Sequence, residues 1–207
     1  MEKNSFFNFG SKLVSSTVQA HSVGLKKDAN DIDDHWNLIK GNYKGINFPI
    51  IFKQEYGKNL TDILDTGWPS LFLISIRMKM ILEENKLTGW QTFPIKLYDK
   101  KENEIPEYYG FSIIGKCAPI NYGNSEIVEK RLVPTGPICK FYKGISIDKW
   151  NRVDFFTPEG SYTIFATKKA ADILRKNKIT NMRFEDVCDI EIDIDDIKSK
   201  ITKHDIQ

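Results

Sequence analysis

The hydrophobic pattern along this chain switches between period two and period 3.6, and it switches at matching places in two stretches offset by 92 residues. Leu71-Phe72-Leu73-Ile74 and Tyr162-Thr163-Ile164-Phe165 are short apolar, β-branched or aromatic runs, as expected of buried strands. Ser75 and Thr167 follow, each with a hydroxyl able to accept from a helix's first turn, worth about 1 kcal/mol. Met78, Ile81 and Leu82 then recur at helical spacing, as do Ala170, Ile173 and Leu174. Asn85 and Asn177 suit the left-handed turn that ends a helix. Lys86 and Thr88 return as Lys178 and Thr180, and Leu87 is answered by Ile179. Gly89 is matched by Asn181; both residue types tolerate positive φ, so the exchange points to a backbone constraint. Trp90 and Thr92, like Met182 and Phe184, open outgoing strands. The hydroxyl and amide residues of these stretches read as caps, because no base accompanies them to make a nucleophile.

Elsewhere the patterns are shorter. Residues 1–30 are polar apart from Phe6, Phe7 and Phe9, and read as an arm that docks those rings, with disorder as the competing account. Asp34–Ile39 and Phe48–Lys53 read as strands either side of a Gly-Asn-Tyr-Lys-Gly turn, and Asn59–Leu64 as a short helix before a break at Gly67-Trp68-Pro69. A charged turn at Asp99–Glu104 leads to a strand at Tyr108–Gly115. The Gly, Pro, Asn and Ser content of Lys116–Pro137 marks a hinge or binding loop. One or two strands are expected in Cys139–Ile147, another at Val187–Ile194, and a helix at Asp195–Lys203. The sum is an α+β fold: a mixed sheet with two similar strand-helix-strand units in a single compact domain. Residues 1–66 form an N-terminal arm with a small strand/helix segment and 67–207 the duplicated core, with no Ser/Gly or Pro linker between them.

Composition narrows the function. The chain has 207 residues, 41% hydrophobic and 12% aromatic, enough for a substantial core. A net charge of +2, from 30 basic and 28 acidic residues, argues against wholesale nucleic-acid binding. Cys117, Cys139 and Cys188 are odd in number and widely spaced, which suits buried thiols in a reducing cytoplasm better than a disulfide framework or metal knuckle. No apolar run reaches the roughly 18–20 residues of a membrane span. Val18-Gln19-Ala20 faintly resembles a signal-cleavage site, but polar residues interrupt the stretch before it. The expectation is a cytoplasmic protein.

Catalytic signatures are missing. His21, His35 and His204 lie far apart with no ligand at metal spacing, and zinc-hydrolase, nucleophile-elbow, Walker and dinucleotide motifs are absent, so neither metal nor cofactor is expected. Two features carry candidate chemistry. Glu185 to Asp196 holds seven acids and no lysine or arginine. Strand alternation there puts Ile190, Ile192 and Ile194 on one face and Asp189, Glu191, Asp193 and Asp195 on the other, either a charge-guarded edge or a docking strip for a basic partner. The basic stretch before it, with Lys168, Lys169, Arg175, Lys176, Lys178 and Arg183 against Asp172, is placed to neutralise that strip. The second feature is Tyr108, Tyr109, Lys116 and Cys117 beside the Gly/Pro-rich excursion, a candidate small-ligand or enzyme site.

The segment Ser75…Ile81-Leu82-Glu83-Glu84-Asn85…Thr88-Gly89-Trp90…Phe93-Pro94 resembles a recurring element of immunity proteins from bacterial polymorphic toxin systems, in the group typified by a Myxococcus immunity domain. Trp150…Asp154-Phe155-Phe156, then Thr167…Leu174…Asn177…Thr180, is similar to the C-terminal half of the same group. The likeness spans residues 68–188 and departs from the pattern at Asn181 and Glu185-Asp186. It implies a non-catalytic cytoplasmic protein whose partner is a cognate toxin, acting by covering the toxin's active site or blocking its closure.

Overall fold

The computed structural model describes residues 6–25 and 34–194, which fold into mixed sheets with few helices. The first strand, β1 (Phe6–Ser11), opens a five-stranded sheet. The largest sheet has eight strands: β2 (Gln19–Val23), β3 (Ile50–Tyr56), β4 (Ile63–Asp65), β5 (Phe72–Ser75), β6 (Trp90–Phe93), β7 (Ile95–Tyr98), β8 (Glu104–Ile105) and β9 (Tyr108–Ile113). Their order is β6-β9-β5-β4-β2-β3-β7-β8, parallel where β2 meets β4 and where β3 meets β7. The five-stranded sheet takes β1 together with β10 (Lys116–Cys117), β13 (Phe155–Pro158), β14 (Phe165–Thr167) and β15 (Met182–Asp186), in the order β10-β13-β14-β1-β15. A small antiparallel sheet, β11 (Glu126–Arg131), β12 (Ile138–Lys143) and β16 (Glu191–Asp193), stands beside them. Helix α1 (Asp34–Ile39) packs on the eight-stranded sheet, while α2 (Ile76–Glu84) and α3 (Lys168–Lys176) share a core with both larger sheets.

Several expectations are corrected. Phe6–Phe9 is no docking arm: β1 is hydrogen-bonded on both sides, to β14 and to β15. The Phe9 ring, 3% exposed, lies 5.4–6.2 Å from the rings of Phe72, Phe111, Phe155 and Phe184, joining the two large sheets. Its polar neighbours hid it because partner strands, not its own sequence, satisfy its backbone. Asp34–Ile39 is helical, and the three- and four-residue spacing of the buried His35, Leu38 and Ile39 is the reason. Asn59–Leu64 forms no helix, because Ile63–Asp65 is claimed by β5 and the segment before it is tied across the molecule. The strand expected at Tyr162 starts only at Phe165; Tyr162 stacks on Trp36 at 3.8 Å instead.

Both long helices begin and end alike. Ser75 accepts from the Met78 N–H (3.1 Å) and Thr167 from the Ala170 N–H (3.3 Å), each as the N-cap. At the other end the left-handed residue is the lysine, not the asparagine: Lys86 has φ 50° and Lys178 φ 52°. Asn85 and Asn177 keep negative φ and turn their side-chain amides back to Ile81 O (2.8 Å) and Ile173 O (2.9 Å). Gly89 and Asn181 both have positive φ, 88° and 58°. Gly89 is constrained further, since a Cβ there would lie 2.0 Å from the Phe155 carbonyl oxygen. At Asn181 the corresponding approach becomes a hydrogen bond, its amide donating to Ile63 O at 2.8 Å.

Two buried aspartates tie these ends together. Asp62 accepts from the Ser75 hydroxyl (2.8 Å), from Arg77 (2.6 Å), and from the Thr180 N–H and hydroxyl (2.8 and 2.9 Å). Asp154 accepts from the Thr167 hydroxyl (3.2 Å), from Lys169 (3.3 Å), and from the Thr88 N–H and hydroxyl (2.9 and 3.1 Å). Each carboxylate therefore holds the start of the helix that follows it and the turn after the other helix. The threonine hydroxyls return the contact, accepting from the Asp62 N–H (2.8 Å) and the Asp154 N–H (3.2 Å). Removing either carboxylate leaves several part-buried donors without their acceptor, each costing about 1 kcal/mol. Asp62→Ala and Asp154→Ala should each lower the unfolding free energy by about 3 kcal/mol in urea denaturation, and a loss under about 1 kcal/mol would show that the contacts do not hold the fold.

Candidate functional site

The small sheet carries the acidic run. Ile190 and Ile194 are buried while Asp189 and Glu191 are exposed, the alternation expected, although the regular strand covers only Glu191–Asp193. Asp195 and the helix expected from it lie outside the described residues. The run is an edge: β12 pairs with β16 on one side only. Glu191 is already partnered from within, by Lys130 of β11, whose ammonium also sits 4.7 Å over the Phe141 ring. The basic helix does not neutralise the run as expected. Lys168 pairs with Asp172, Lys169 with Asp154, and Arg175 lies over the rings of Phe7 and Phe184 at 4.9 and 5.1 Å. Of that basic stretch, Arg183, just after the helix, does meet the run, at Glu185 (3.6 Å).

The Gly/Pro-rich excursion resolves into the β11–β12 hairpin. Its paired register runs from Glu126 opposite Lys143 to Arg131 opposite Ile138. Ile127 and Ile138 stand on its outer part and Leu132 and Val133 in the connection, each more than half exposed. Ile127 and Ile138 share a face with Tyr142, which pairs with Ile192 in the next strand. Sequence reasoning named the segment but missed these four side chains; the alternation of Ile127, Glu129 and Arg131 was the signal that could have found them.

Tyr108, Tyr109, Lys116 and Cys117 do not converge. The Tyr108 hydroxyl donates to Thr61 O (2.9 Å) inside the core of the eight-stranded sheet, where burial, helped by the charge on Asp62, pushes its pKa up to about 12. Tyr109 receives the Lys79 ammonium 4.4 Å from its ring centre. Cys117 is buried in a different cluster, with Phe156 and Phe165, and desolvation raises its thiol to about 11. Lys116 is exposed at a shallow depression beside it, shared with Lys149 and Trp150. Neither tyrosine borders that depression.

A deeper cleft was not foreseen. It has a volume of about 490 Å³ and opens where β1 faces the loop between β4 and β5, bordered by Ser11, Gln19, Asp65, Trp68 and Phe72. Ser11 donates to Asp65 at 2.5 Å. Two non-glycine residues at the rim, Leu13 (φ 51°) and Ser70 (φ 63°), hold left-handed backbone. Ser70 is fixed there by donating to Tyr162 O at 2.5 Å.

A family model described as an immunity protein family (Imm11) matches residues 10–189. The chain belongs to the Imm11 immunity protein family. The match is longer than the 68–188 resemblance read from the repeated segment, and takes in both aspartate contacts, the cleft lining from Gly10 onward and the β11–β12 hairpin. Of the acidic strip it reaches only Asp189; Glu191 and Asp193 follow it. A search of the curated proteins finds no match. Among the described residues of this Imm11 chain, no helix is long and apolar enough to cross a membrane, and no cluster of His, Cys, Asp or Glu is placed to hold a metal ion.

The thiols of this Imm11 protein differ sharply in setting: Cys117 is buried, Cys139 half-buried and Cys188 exposed, not all buried as expected. A raised pKa keeps Cys117 protonated at neutral pH, and the protonated form is the unreactive one. At pH 8 an aromatic disulfide reagent should modify Cys188 first and leave Cys117 unmodified in the native protein, as read by peptide mass mapping. Early labelling of Cys117 would contradict the burial that raises it.

Proposed function

We propose that this chain is a non-catalytic immunity protein of a polymorphic toxin system that binds and neutralises a cognate toxin in the cytoplasm of the cell making both. Membership of the Imm11 family is the observation that carries the reading. We further propose that the toxin docks on the three-stranded sheet. The exposed Ile127, Leu132, Val133 and Ile138 supply apolar contact, and the acidic edge at Asp189, Glu191 and Asp193 supplies charge selection. Apolar side chains give affinity when desolvated, whereas rim charges mainly set association rate and partner choice. Bound there, the protein covers the toxin's active site or blocks its closure.

The matching caps, turns and aspartate contacts support reading residues 62–93 and 154–186 as two copies of one strand-helix-strand unit. They also support one folding unit that includes residues 1–66, whose first strand completes the sheet of the later half.

The test is rescue: expression of the cognate toxin domain in a naive bacterium arrests growth, and co-expression of this protein restores it and yields a complex. Replacing Ile127, Leu132 and Val133 together by Ser should weaken that complex at least about tenfold. Replacing Asp189, Glu191 and Asp193 by Ser should slow association at low salt and matter less as salt screens the edge. Unchanged affinity in both triple variants would reject this sheet as the docking face, and growth arrest despite good expression of both proteins would reject the pairing itself.

A further inference from the structure

The three aspartates of this region sit in unlike company. Asp62 and Asp154 are buried, and each holds a cation, Arg77 at 2.6 Å and Lys169 at 3.3 Å. Asp65, half-buried in the wall of the 490 Å³ cleft, is hydrogen-bonded by Ser11, with the Asn181 amide as a weaker partner. No basic side chain among the described residues pairs with it. Burial accordingly pushes its carboxyl up from the ordinary range, and the two hydrogen bonds pull it only part of the way back. Arg183, the basic residue on the lining, is drawn toward Glu185 (3.6 Å), and the Asn8 amide approaches the same carboxylate oxygen (3.5 Å).

The rest of the cleft suits the missing partner. Trp68 lines it, and the Trp68 indole is held by stacking on His35 at 3.9 Å. Phe72 and Gln19 also line it, as does Leu13, which is 77% exposed. A carboxylate and aromatic side chains on one lining, with apolar neighbours, make an environment that can hold an ammonium or guanidinium group. The volume is within the range of small-ligand sites, roughly 300–1,000 Å³.

We infer that the cleft between β1 and the β4–β5 loop binds an organic cation, a protonated amine or guanidinium, through Asp65 and Trp68. The cation supplies the charge that Arg77 and Lys169 supply to the other two aspartates, and its aliphatic part lies against Phe72 and Leu13. This site is separate from the three-stranded sheet. The cation belongs either to a small molecule or to a lysine or arginine side chain of the bound toxin.

The probe is ethylguanidinium chloride, titrated at constant ionic strength into isotopically labelled protein while the Trp68 indole and Gln19 amide resonances are followed. Saturable shifts are expected for the native protein. Asp65→Asn keeps an acceptor for Ser11 but loses the charge, and should weaken binding at least about tenfold, the scale of one charge-assisted hydrogen bond. Thr163→Lys, which places a resident ammonium on the cleft lining, should abolish binding by occupying Asp65 and serves should Asp65→Asn fail to fold. Shifts that never saturate, or affinities equal in native protein and variants, would overturn the site. Toxin capture then separates the sources: capture weakened by Asp65→Asn and competed by ethylguanidinium identifies a toxin side chain, and capture indifferent to both identifies a free small cation. The titration stands even if no toxin is neutralised, so the two readings fail independently.

Discussion

The fold depends on two carboxylates, Asp62 and Asp154, each of which closes a contact between segments far apart in sequence. Asp62 reaches Thr180 and Asp154 reaches Thr88, so neither helix can be capped at its start without fixing the turn beyond the other. A buried carboxylate is costly to desolvate, and these two are offset by backbone, hydroxyl and basic donors converging on the same few atoms. The arrangement also dictates local chemistry. Gly89 must lack a side chain because the Phe155 carbonyl, one residue after Asp154, presses against it. Asn181 meets the Ile63 carbonyl, one residue after Asp62, and uses its amide to bind it.

The surfaces proposed for partner binding lie outside the core that these contacts organise. Residues of both long helices and of both large sheets share one core with Phe9 and the rings around it. The three-stranded sheet stands clear of that core along β11, where Ile127 is exposed, and is held to it along β16, where Ile190 and Ile192 pack against Phe156 and Phe165. A firmly anchored edge with a projecting hairpin presents contact residues at low entropic cost on binding.

The two long helices, their N-caps and the positive φ at Gly89 and Asn181 were legible in the sequence because their signals are local: Ser75 and Thr167 need only the next turn of chain to act, whereas the left-handed residue ending each helix falls one position later than expected, at Lys86 and Lys178. The isoleucine and aspartate alternation of 190–194 was legible for the same reason. Phe6–Ser11 was not, since a strand satisfied on both sides by β14 and β15 needs no pattern of its own. The Asp34–Ile39 helix was too short for its period to stand out from that of a strand. The tyrosine and cysteine site failed because nearness in sequence was taken for nearness in space, whereas β9 and β10 deliver Tyr108 and Cys117 to different cores. Asp65 carried no sequence signal at all; only the fold shows that, among the described residues, no cation pairs with it as Arg77 and Lys169 pair with its neighbours.

The central claim is that this protein works by presenting one face of a rigid frame to a toxin. Hydrogen exchange of the protein alone and in complex with its toxin tests that most directly. The account predicts new protection in residues 126–143 and 189–193 on binding, with exchange around Asp62 and Asp154 already slow and unchanged. Protection confined to the far edge of the eight-stranded sheet, at β7 and β8, would contradict it.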